Sequence, residues 1–420
     1  MSAPSLRSNF VWVLGGSLVL AVTQFAMLIA LTKLAPTQAM GAMRVGQWTL
    51  AAAITGPVFV FFLFKLRALQ ATDARNEHGW PAYASVRVLG MISALIITLI
   101  VVALGYRNHT ALIILGVALM KCFEGGSELV YGHLQHADLL DQVARSQIGR
   151  GLSALVVAIT LLVVTDSLAV STFGTAGVYA AWMTRDLVGA RRRCGITAPS
   201  RDLTAIGKLL RQCAPLGMVG AIGSLQANVP RYFLEYNGSL SELGVFGAMQ
   251  TLLILGGLVI NAIAHAALAR MSRHAAAGEW HAFARTLRTL VLLGSGLGVV
   301  AVVLAATLGE PVLRLIYNDE FARHHDVLIW LAATSGLLWM YMFFGTALDA
   351  MRRYGIQPWI HGTSTAIIAI ASWQLVPRYH LLGASWAMLI GFAAECTMYI
   401  VAVALPLRAE IRGQVRRPVG

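Results

Sequence analysis

Charged residues are scarce in this sequence of 420 residues: Asp, Glu, Lys and Arg make up only 12% of it, whereas 57% of the residues are hydrophobic. A soluble domain carries roughly 25% charged residues, so this composition cannot supply a water-facing surface. Most of the chain must therefore lie in lipid, where backbone groups pair within helices or within a closed barrel. The apolar runs are continuous rather than alternating, which excludes a barrel and predicts helices.

Cysteines and catalytic motifs are also scarce. The four cysteines show no Cys-x-x-Cys spacing and fall in apolar runs or on the expected inner side, where disulfides are not expected. Walker, His-Glu-x-x-His and Gly-x-Ser-x-Gly motifs are absent, so the chain alone is not expected to drive transport with ATP. His324-His325-Asp326 resembles a metal or acyl-transfer cluster, but a solvated loop explains it better. We therefore expect no enzymatic activity, no metal and no cofactor.

The apolar runs have the length of membrane spans, because crossing a hydrocarbon core of about 30 Å takes roughly 20 apolar residues in a helix. No connection between them is long enough for a soluble domain. The fold class predicted is an all-α polytopic membrane protein with twelve transmembrane helices. The predicted spans are residues 10–32, 45–64, 88–104, 110–131, 148–165, 168–187, 213–233, 244–268, 287–308, 327–348, 356–376 and 381–405.

The net charge of +13 follows membrane topology and does not indicate nucleic-acid binding. If the N-terminus lies inside, the inner connections carry 24 of the 32 Lys and Arg residues, the outer ones carry seven, and Lys121 lies within a span. Cytoplasmic loops are enriched in these two residues. We therefore expect both termini in the cytoplasm.

Two hexapeptides indicate an internal duplication: GWPAYA begins at Gly79 and EWHAFA at Glu279. Their tryptophans, predicted to anchor at the membrane surface, stand 200 positions apart, and a second echo aligns Gln47 with Gln250. Six spans in each copy make the copies parallel repeats. We expect two six-helix lobes, residues 1–190 and 213–420, around a cleft. A cytoplasmic amphipathic linker, residues 191–212, would lie along the inner membrane surface.

The predicted fourth span contains three charged residues. Lys121, Glu124 and Glu128 are spaced i, i+3 and i+7, so they share one face of a helix. A charge in the middle of a membrane helix costs at least about 2.5–3.5 kcal/mol, and this face should therefore point to a cleft. Either the three charges neutralise one another and fix helix packing, or Lys121 binds an anionic head group while a carboxylate takes up a proton.

The predicted seventh span repeats this pattern with Asn228, Arg231 and Glu235. Arg231 can bind phosphate oxygens with two parallel hydrogen bonds; alternatively, it forms an interfacial pair with Glu235. Glu395 stands alone in the twelfth span, and a membrane carboxylate is expected to be protonated or paired. The candidates for coupling transport to an ion are Glu124, Glu128, Glu235 and Glu395.

Other polar residues of the spans have two interpretations. Lys33 and Arg44 flank the outer ends of the first two spans, where they either anchor the helices or add positive charge to a cavity. Uncharged amides either bond neighbouring helices or contact a sugar. The candidates for a polar cavity lining are Gln24, Gln47, Asn228, Gln250 and Asn261.

Four stretches resemble motifs of a known family. Residues 66–73 (LRALQATD) resemble the LRxxxATD stretch of polysaccharide-biosynthesis flippases, and residues 228–235 (NVPRYFLE) resemble their NIPRYFIE. Residues 130–135 (VYGHLQ) look like their VYGxLQ, and residues 239–246 (SLSELGVF) are similar to their xxALGIFAA. The likeness runs over nearly the whole chain. Its motifs are typical of the oligosaccharide-flippase branch of the MOP (MATE-like) superfamily.

The resemblance implies a flippase for surface polysaccharide of the O-antigen or capsule type. It implies that the chain moves an undecaprenyl-pyrophosphate-linked oligosaccharide from the inner to the outer leaflet of a bacterial cytoplasmic membrane. Two MATE-like lobes would enclose a cationic cavity and open alternately. Arg231 matches the family motif, and Lys121, Lys33 and Arg44 are the further cations expected there. The expected partners are the lipid-linked oligosaccharide, membrane lipids, H⁺ or Na⁺ as coupling ion, a glycan polymerase and glycosyltransferases.

Two other functions fit parts of the sequence. A cation-coupled multidrug exporter of the MATE type would share the fold, and Glu124, Glu128 and Glu395 suit it. A membrane enzyme such as a glycan polymerase would need a large outer loop with catalytic groups, and the predicted outer loops are short. Twelve spans, rather than the fourteen of lipid II flippases, argue against that particular assignment.

Overall fold

The computed structural model describes residues 6–73 and 77–415 of the chain. Within these residues twelve long helices correspond to the twelve predicted spans, which confirms the fold class. They are α1 (Leu6–Lys33), α2 (Gln38–Phe62), α3 (Gly79–Gly105), α4 (Asn108–His136), α5 (Leu140–Thr165), α6 (Leu168–Cys194), α7 (Leu203–Asn237), α8 (Leu240–Ala276), α9 (Trp280–Ile316), α10 (His325–Ala350), α11 (357–379) and α12 (381–415). The last two form the segment Gln357–Val415, which is broken at His380 by a non-helical φ of 47°.

Three short elements connect the long helices. They are the helices Leu66–Thr72 and Asp319–Ala322 and the 3₁₀ turn Tyr354–Ile356. Hydroxyl side chains cap several helix starts: Thr37 accepts a hydrogen bond from the backbone N–H of Met40, and Ser239 from that of Glu242.

Nine helical segments of the described chain are long and apolar enough to cross a membrane, and α11 and α12 count as one of them. The helices α6 and α7 are not among the nine. In α6 the hydroxyl groups of Ser171, Thr172 and Thr175 are buried in the protein and bond to backbone carbonyls. A helix that turns polar groups towards its neighbours can remain in the membrane with fewer apolar residues. The chain is therefore a multi-pass membrane protein.

The described chain divides into two compact units, residues 1–225 and 226–420. In the first unit, α4 packs against α2, α3 and α6, and α1 packs against α5. Gly90 of α3 allows a close approach, because a Cβ atom there would lie 2.1 Å from the carbonyl oxygen of Phe62. A buried cluster around Tyr83, Tyr131 and Leu66 closes one end of this unit.

The second half of the predicted linker forms the first turns of α7. Ile206 and Leu209, whose apolar face was expected along the membrane surface, are instead buried in the Tyr83 and Tyr131 cluster. Leu203 at the helix start is exposed. Packing against protein thus accounts for the amphipathic pattern. The predicted lobe bounds, residues 1–190 and 213–420, stay a prediction, since the two compact units divide within α7.

In the second unit, α10 packs against α8, α9 and the segment Gln357–Val415. Gly298 of α9 and Gly336 of α10 bring two backbones together, because a Cβ atom at Gly298 would lie 2.6 Å from the Cα atom of Gly336. Phe283 and Phe343 are fully buried in the core of this unit. Gly298 therefore serves close helix packing.

The two tryptophans of the repeated hexapeptides lie at equivalent points of the two sets of six helices. Trp80 is the second residue of α3, directly after Gly79, and Trp280 begins α9 two residues after Gly278. Both glycines are left-handed, with φ of 63° and 70°, a conformation that favours glycine. Trp80 is buried and donates a hydrogen bond from Nε1 to the carbonyl oxygen of Thr197 at 2.9 Å. Its expected role as a membrane-surface anchor is therefore wrong.

Candidate functional site

The charged face of α4 forms ion pairs, and a buried arginine joins it from α5. The Nζ atom of Lys121 lies 3.4 Å from Oε2 of Glu124, and Nη2 of Arg150 lies 3.2 Å from Oε1 of the same carboxylate. The side chain of Arg150 is 0% exposed, whereas that of Lys121 is 39% exposed. Glu124 thus holds one cation inside the protein and one at its accessible side.

A second ion pair extends this cluster along α4. The Nη1 atom of Arg67, from the short helix Leu66–Thr72, lies 2.9 Å from Oε2 of Glu128. Arg67 also lies over the ring of Tyr131 at 5.6 Å. The motif at residues 66–73 therefore places its arginine beside the predicted acidic stripe.

Together these side chains carry a surplus of positive charge. The three cations Lys121, Arg150 and Arg67 face two carboxylates, those of Glu124 and Glu128. Lys121 and Arg150 share the carboxylate of Glu124, and Arg67 pairs with Glu128, so the ion-paired set has one more cation than carboxylates. The Lys121–Glu124 pair belongs to the alternative of mutual neutralisation, and the two arginines from outside α4 extend that network to other helices.

Aromatic rings stabilise the buried guanidinium of this cluster. Arg150 lies over the ring of Tyr179 at 4.9 Å and over that of Tyr131 at 5.8 Å. Cations over ring faces are attracted by the ring quadrupole, and more strongly where water is excluded. Two aromatic faces and one carboxylate thus support a charge that burial alone would penalise.

In the second unit, the polar residues of α7 meet α8. Arg231 donates from Nε to Oε1 of Gln250 at 2.8 Å and from Nη1 to Oδ1 of Asn228 at 2.9 Å. Gln250 in turn donates from Nε2 to Sδ of Met388 at 3.0 Å. Arg231 is thus held by two neutral amides, which fix its direction and leave its charge intact. Glu235 lies on the same helix, one turn further along, and is half-buried.

Glu395 is fully buried among three helices of the second unit. Its Oε1 atom lies 2.7 Å from Nδ1 of His361 on α11, and Gln226 of α7 donates a hydrogen bond to its Oε2 atom. Gln226 also donates to Oγ of Ser364 at 2.8 Å. Tyr399 lies 3.1 Å from the other ring nitrogen of His361. Glu395 is therefore paired and not the isolated carboxylate that the sequence suggests.

The imidazole of His361 connects this buried carboxylate to a cavity of about 370 Å³ between α8, α10 and α11. His361, Tyr341 and Asp349 line the cavity, and so does Asn261, one of the predicted polar lining residues. The side chain of His361 is 22% exposed, whereas that of Glu395 is 0% exposed. Water in the cavity can thus reach the histidine but not the acid.

The remaining predicted site residues lie apart from these clusters. Arg44 is buried at the start of α2 and forms an ion pair with Asp166 of the loop between α5 and α6. Lys33 and Gln24 are exposed on α1, and Gln47 is half-buried on α2. The structure favours an anchoring role for Arg44, because its charge is already compensated.

Several residues of these clusters were not expected from the sequence. The count of Lys and Arg residues in the inner connections includes Arg67, Arg87 and Arg150. The structure instead buries Arg87 and Arg150 in helices. Arg150 lies two residues inside the predicted fifth span, and this position could have indicated that its side chain is buried in the membrane region. Gln226 and His361 are polar residues of spans, but only the contacts with Glu395 distinguish them from packing residues.

No family model matches the chain. A search of curated proteins finds the capsular polysaccharide biosynthesis protein CapF of Staphylococcus aureus, which is 25% identical over 404 residues, 93% of this chain and 98% of that protein. Among solved structures, the lipid II flippase MurJ in an inward closed conformation matches with a TM-score of 0.69 and 12% identity, over 92% of this chain and 87% of MurJ. An inward-facing multidrug resistance MATE transporter of the MOP superfamily matches with a TM-score of 0.62 and 14% identity, over 94% and 96% of the two chains.

The chain has the MATE-like fold of these two structures, with two six-helix lobes. Within that fold, the sequence is related to a capsular polysaccharide biosynthesis protein over nearly its whole length. This relationship and the shared fold agree with the resemblance to polysaccharide-biosynthesis flippases drawn from the sequence motifs.

Proposed function

We propose that this protein flips a lipid-linked oligosaccharide across the membrane for the biosynthesis of a surface polysaccharide. The observation that carries the proposal is the accessible ammonium group of Lys121 within a membrane helix, in a cluster with one more cation than carboxylates. The sequence relationship to a capsular polysaccharide protein and the fold shared with a lipid II flippase support it. The cargo is an oligosaccharide on undecaprenyl pyrophosphate, moved from the inner to the outer leaflet.

The physical reason is the cost of the cargo's charge. A pyrophosphate carries several negative charges, and moving them bare through hydrocarbon is prohibitive. Lys121 and Arg231, the latter oriented by Asn228 and Gln250, are the proposed pyrophosphate ligands. The prenyl tail remains in lipid throughout, so only the head group and sugars need a polar path. Such a transporter needs only two arrangements of its lobes, one that opens the site to the inner side and one that opens it to the outer side.

We further propose that H⁺, rather than Na⁺, couples to this movement through Glu395 and His361. Nitrogen atoms of His361 and Gln226 face the two oxygens of the Glu395 carboxylate. Hard cations take a shell of oxygen ligands, which this arrangement does not offer. A proton instead needs an acceptor with an aqueous path, and His361 borders the cavity of about 370 Å³.

The orientation that fits this function has the arginine-rich connections and both termini on the cytoplasmic side of the bacterial inner membrane. The protein performs no covalent step in this proposal. Glycosyltransferases that build the lipid-linked oligosaccharide must act before it, and a polymerase or ligase that consumes the glycan must act after it. These enzymes are its functional partners.

The proposal is tested by glycan export in a strain that depends on this protein. Lys121→Ala and Arg231→Ala should each reduce surface glycan at unchanged protein level, while Lys121→Arg retains a cation and most of the export. Lys208→Ala, an exposed lysine of the first unit, is the matched control and should export normally. Full export by both alanine variants would contradict the proposal that Lys121 and Arg231 bind the pyrophosphate.

A cation-coupled multidrug exporter is the second candidate, because MATE transporters share the fold. It predicts altered resistance to cationic dyes with unchanged surface polysaccharide when the gene is deleted. The flippase proposal predicts the reverse: lost surface polysaccharide and accumulated lipid-linked precursor. Measuring both in one deletion strain separates the two.

A further inference from the structure

A crevice on the first unit is separate from the charged cluster of α4, and we propose that it binds an anionic phospholipid. The crevice has a volume of about 430 Å³ and lies between α3, α4 and α6, with residues 196–199 at one end. Its walls include the apolar side chains of Met91, Leu129 and Leu187. Val88 and Val188, on α3 and α6, are partly exposed, as expected for a groove that opens towards lipid.

Two arginines supply positive charge in this otherwise apolar crevice. Arg87 of α3 is 2% exposed and donates from Nη1 to the carbonyl oxygen of Leu63 at 3.2 Å. Its Nε atom is buried and has no hydrogen-bond partner among the described residues. Arg191, at the end of α6, lines the same crevice and is exposed. A buried guanidinium with an unused donor is stabilised by an anion.

Neighbouring acids do not satisfy Arg87. Glu128 is the carboxylate that attracts it, but Glu128 already forms an ion pair with Arg67 at 2.9 Å. In the described part of the chain, no carboxylate oxygen lies within 4.0 Å of Arg87. Arg87 therefore places on the crevice wall a positive charge that no paired carboxylate neutralises.

Hydrogen bonds hold residues 196–200 in place at one end of the crevice. Trp80 donates from Nε1 to the carbonyl oxygen of Thr197, and the backbone N–H of Ser200 donates to the carbonyl oxygen of Pro81 at 3.0 Å. The hydroxyl of Ser85 donates to the carbonyl oxygen of Ser200 at 2.7 Å. These bonds hold residues 196–200 against the start of α3, so the arginines and the apolar walls keep fixed positions.

The combination of apolar walls and a cationic site selects an amphiphile. A free phosphate ion would use the arginines and leave the apolar walls in contact with water, whereas a phospholipid fills both parts. Basic groups beside membrane helices attract anionic lipids by about fivefold for each Lys or Arg near the surface. The occupant we assign is a glycerophospholipid with a net negative head group, such as phosphatidylglycerol.

The test measures lipid retained by the purified full-length protein in nanodiscs that contain equal amounts of phosphatidylglycerol and phosphatidylcholine. Native mass spectrometry should show at least about fivefold more bound phosphatidylglycerol than phosphatidylcholine on the unchanged protein. Arg191→Gln should reduce this preference, and Ala198→Trp should abolish it by filling the crevice from an exposed position. Arg192→Gln changes a neighbouring exposed arginine and should retain the preference.

Three outcomes would overturn the proposal. One is an equal retention of the two lipids by the unchanged protein. Another is an equal loss of preference in Arg191→Gln and Arg192→Gln, which would indicate diffuse surface attraction. The third is displacement of phosphatidylglycerol by millimolar inorganic phosphate, which would show that the apolar walls contribute nothing. Because both test positions are exposed, size-exclusion chromatography should show normally folded variants, and Arg87→Gln is needed only as a supporting variant.

Discussion

His361 places its Nδ1 atom 2.7 Å from Oε1 of Glu395, so an imidazole on the cavity wall contacts a carboxylate that water does not reach. Gln226 of α7 holds the other oxygen of the same carboxylate. Three helices of the second unit, α7, α11 and α12, thus meet at one acidic side chain. Under the proposed H⁺ coupling, a proton taken up here would act on the contacts of all three helices.

Replacing either member of this pair should uncouple transport from the proton gradient. We expect Glu395→Gln and His361→Gln to reduce flipping driven by an imposed pH gradient at least about tenfold in proteoliposomes, because each variant removes one of the two groups between which the proton is proposed to pass. His265→Gln, another histidine that lines the cavity, is the matched control and should respond to the gradient normally. A strict dependence on a Na⁺ gradient in the unchanged protein would contradict the assignment of H⁺.

Removing the buried arginine of the first unit should destabilise the protein. Arg150→Met leaves Glu124 with Lys121 alone and loses both aromatic contacts, so we expect a loss of about 3 kcal/mol in the free energy of unfolding. Thermal unfolding in detergent, followed by tryptophan fluorescence, measures the effect. Arg145→Met changes an exposed arginine of the same helix and should leave the midpoint nearly unchanged.

The close approach of α9 and α10 should not tolerate a side chain. Gly298→Val places a Cβ atom 2.6 Å from the backbone of Gly336, and we expect overpacking to cost about 1–3 kcal/mol. Gly296 lies in the same helix with no atom within 4 Å of its added Cβ. Gly296→Ala should therefore remain at least as stable as the unchanged protein, and equal melting temperatures for the two variants would show that the contact is unimportant.

Asp73 should contribute stability that disappears in acid. Burial raises the pKa of this carboxyl, but hydrogen bonds from the backbone N–H of Glu77 and the hydroxyl of Tyr83 outweigh it, so the pKa lies below its usual value. A carboxyl with a lowered pKa stabilises the folded state above the pKa of the unfolded chain. This stabilisation is lost as the pH falls through the lower pKa of the folded state.

The corresponding measurement compares Asp73→Asn with the unchanged protein across pH. The variant should melt at a lower temperature at neutral pH, and the difference should shrink once the pH falls below the usual aspartate range. Asp202→Asn changes an exposed aspartate of the same unit and should show a smaller effect at neutral pH. A difference that grows in acid would contradict the direction assigned to Asp73.

Most of the fold could be predicted from the sequence because lipid imposes a simple rule. Continuous apolar runs of about 20 residues must be helices, and the described helices reproduce all twelve. The starts and ends were less predictable. The start of α5 at Leu140, for example, precedes the predicted span by eight residues, since polar side chains continue a helix once they find partners in the protein.

The candidate site was only partly predictable, because its key contacts join distant parts of the chain. The spacing of Lys121, Glu124 and Glu128 indicates a common face, but nothing local brings Arg67 or Arg150 to that face. Gln226 and Glu395 are separated by 169 positions, and their contact depends on how α7 and α12 pack. Helical periodicity describes one helix at a time, so charge compensation between helices lies beyond it.

The backbone contact between Gly298 and Gly336 also bears on the motions open to the second unit. Two helices whose backbones touch have no flexible side chains between them that could rearrange. We therefore expect the backbones to separate before either helix can shift. If helices bend or tilt during a transport cycle, α9 and α10 should move together as one rigid unit. Spin labels placed across this pair would report an unchanging distance and so provide an internal ruler for the parts that do move.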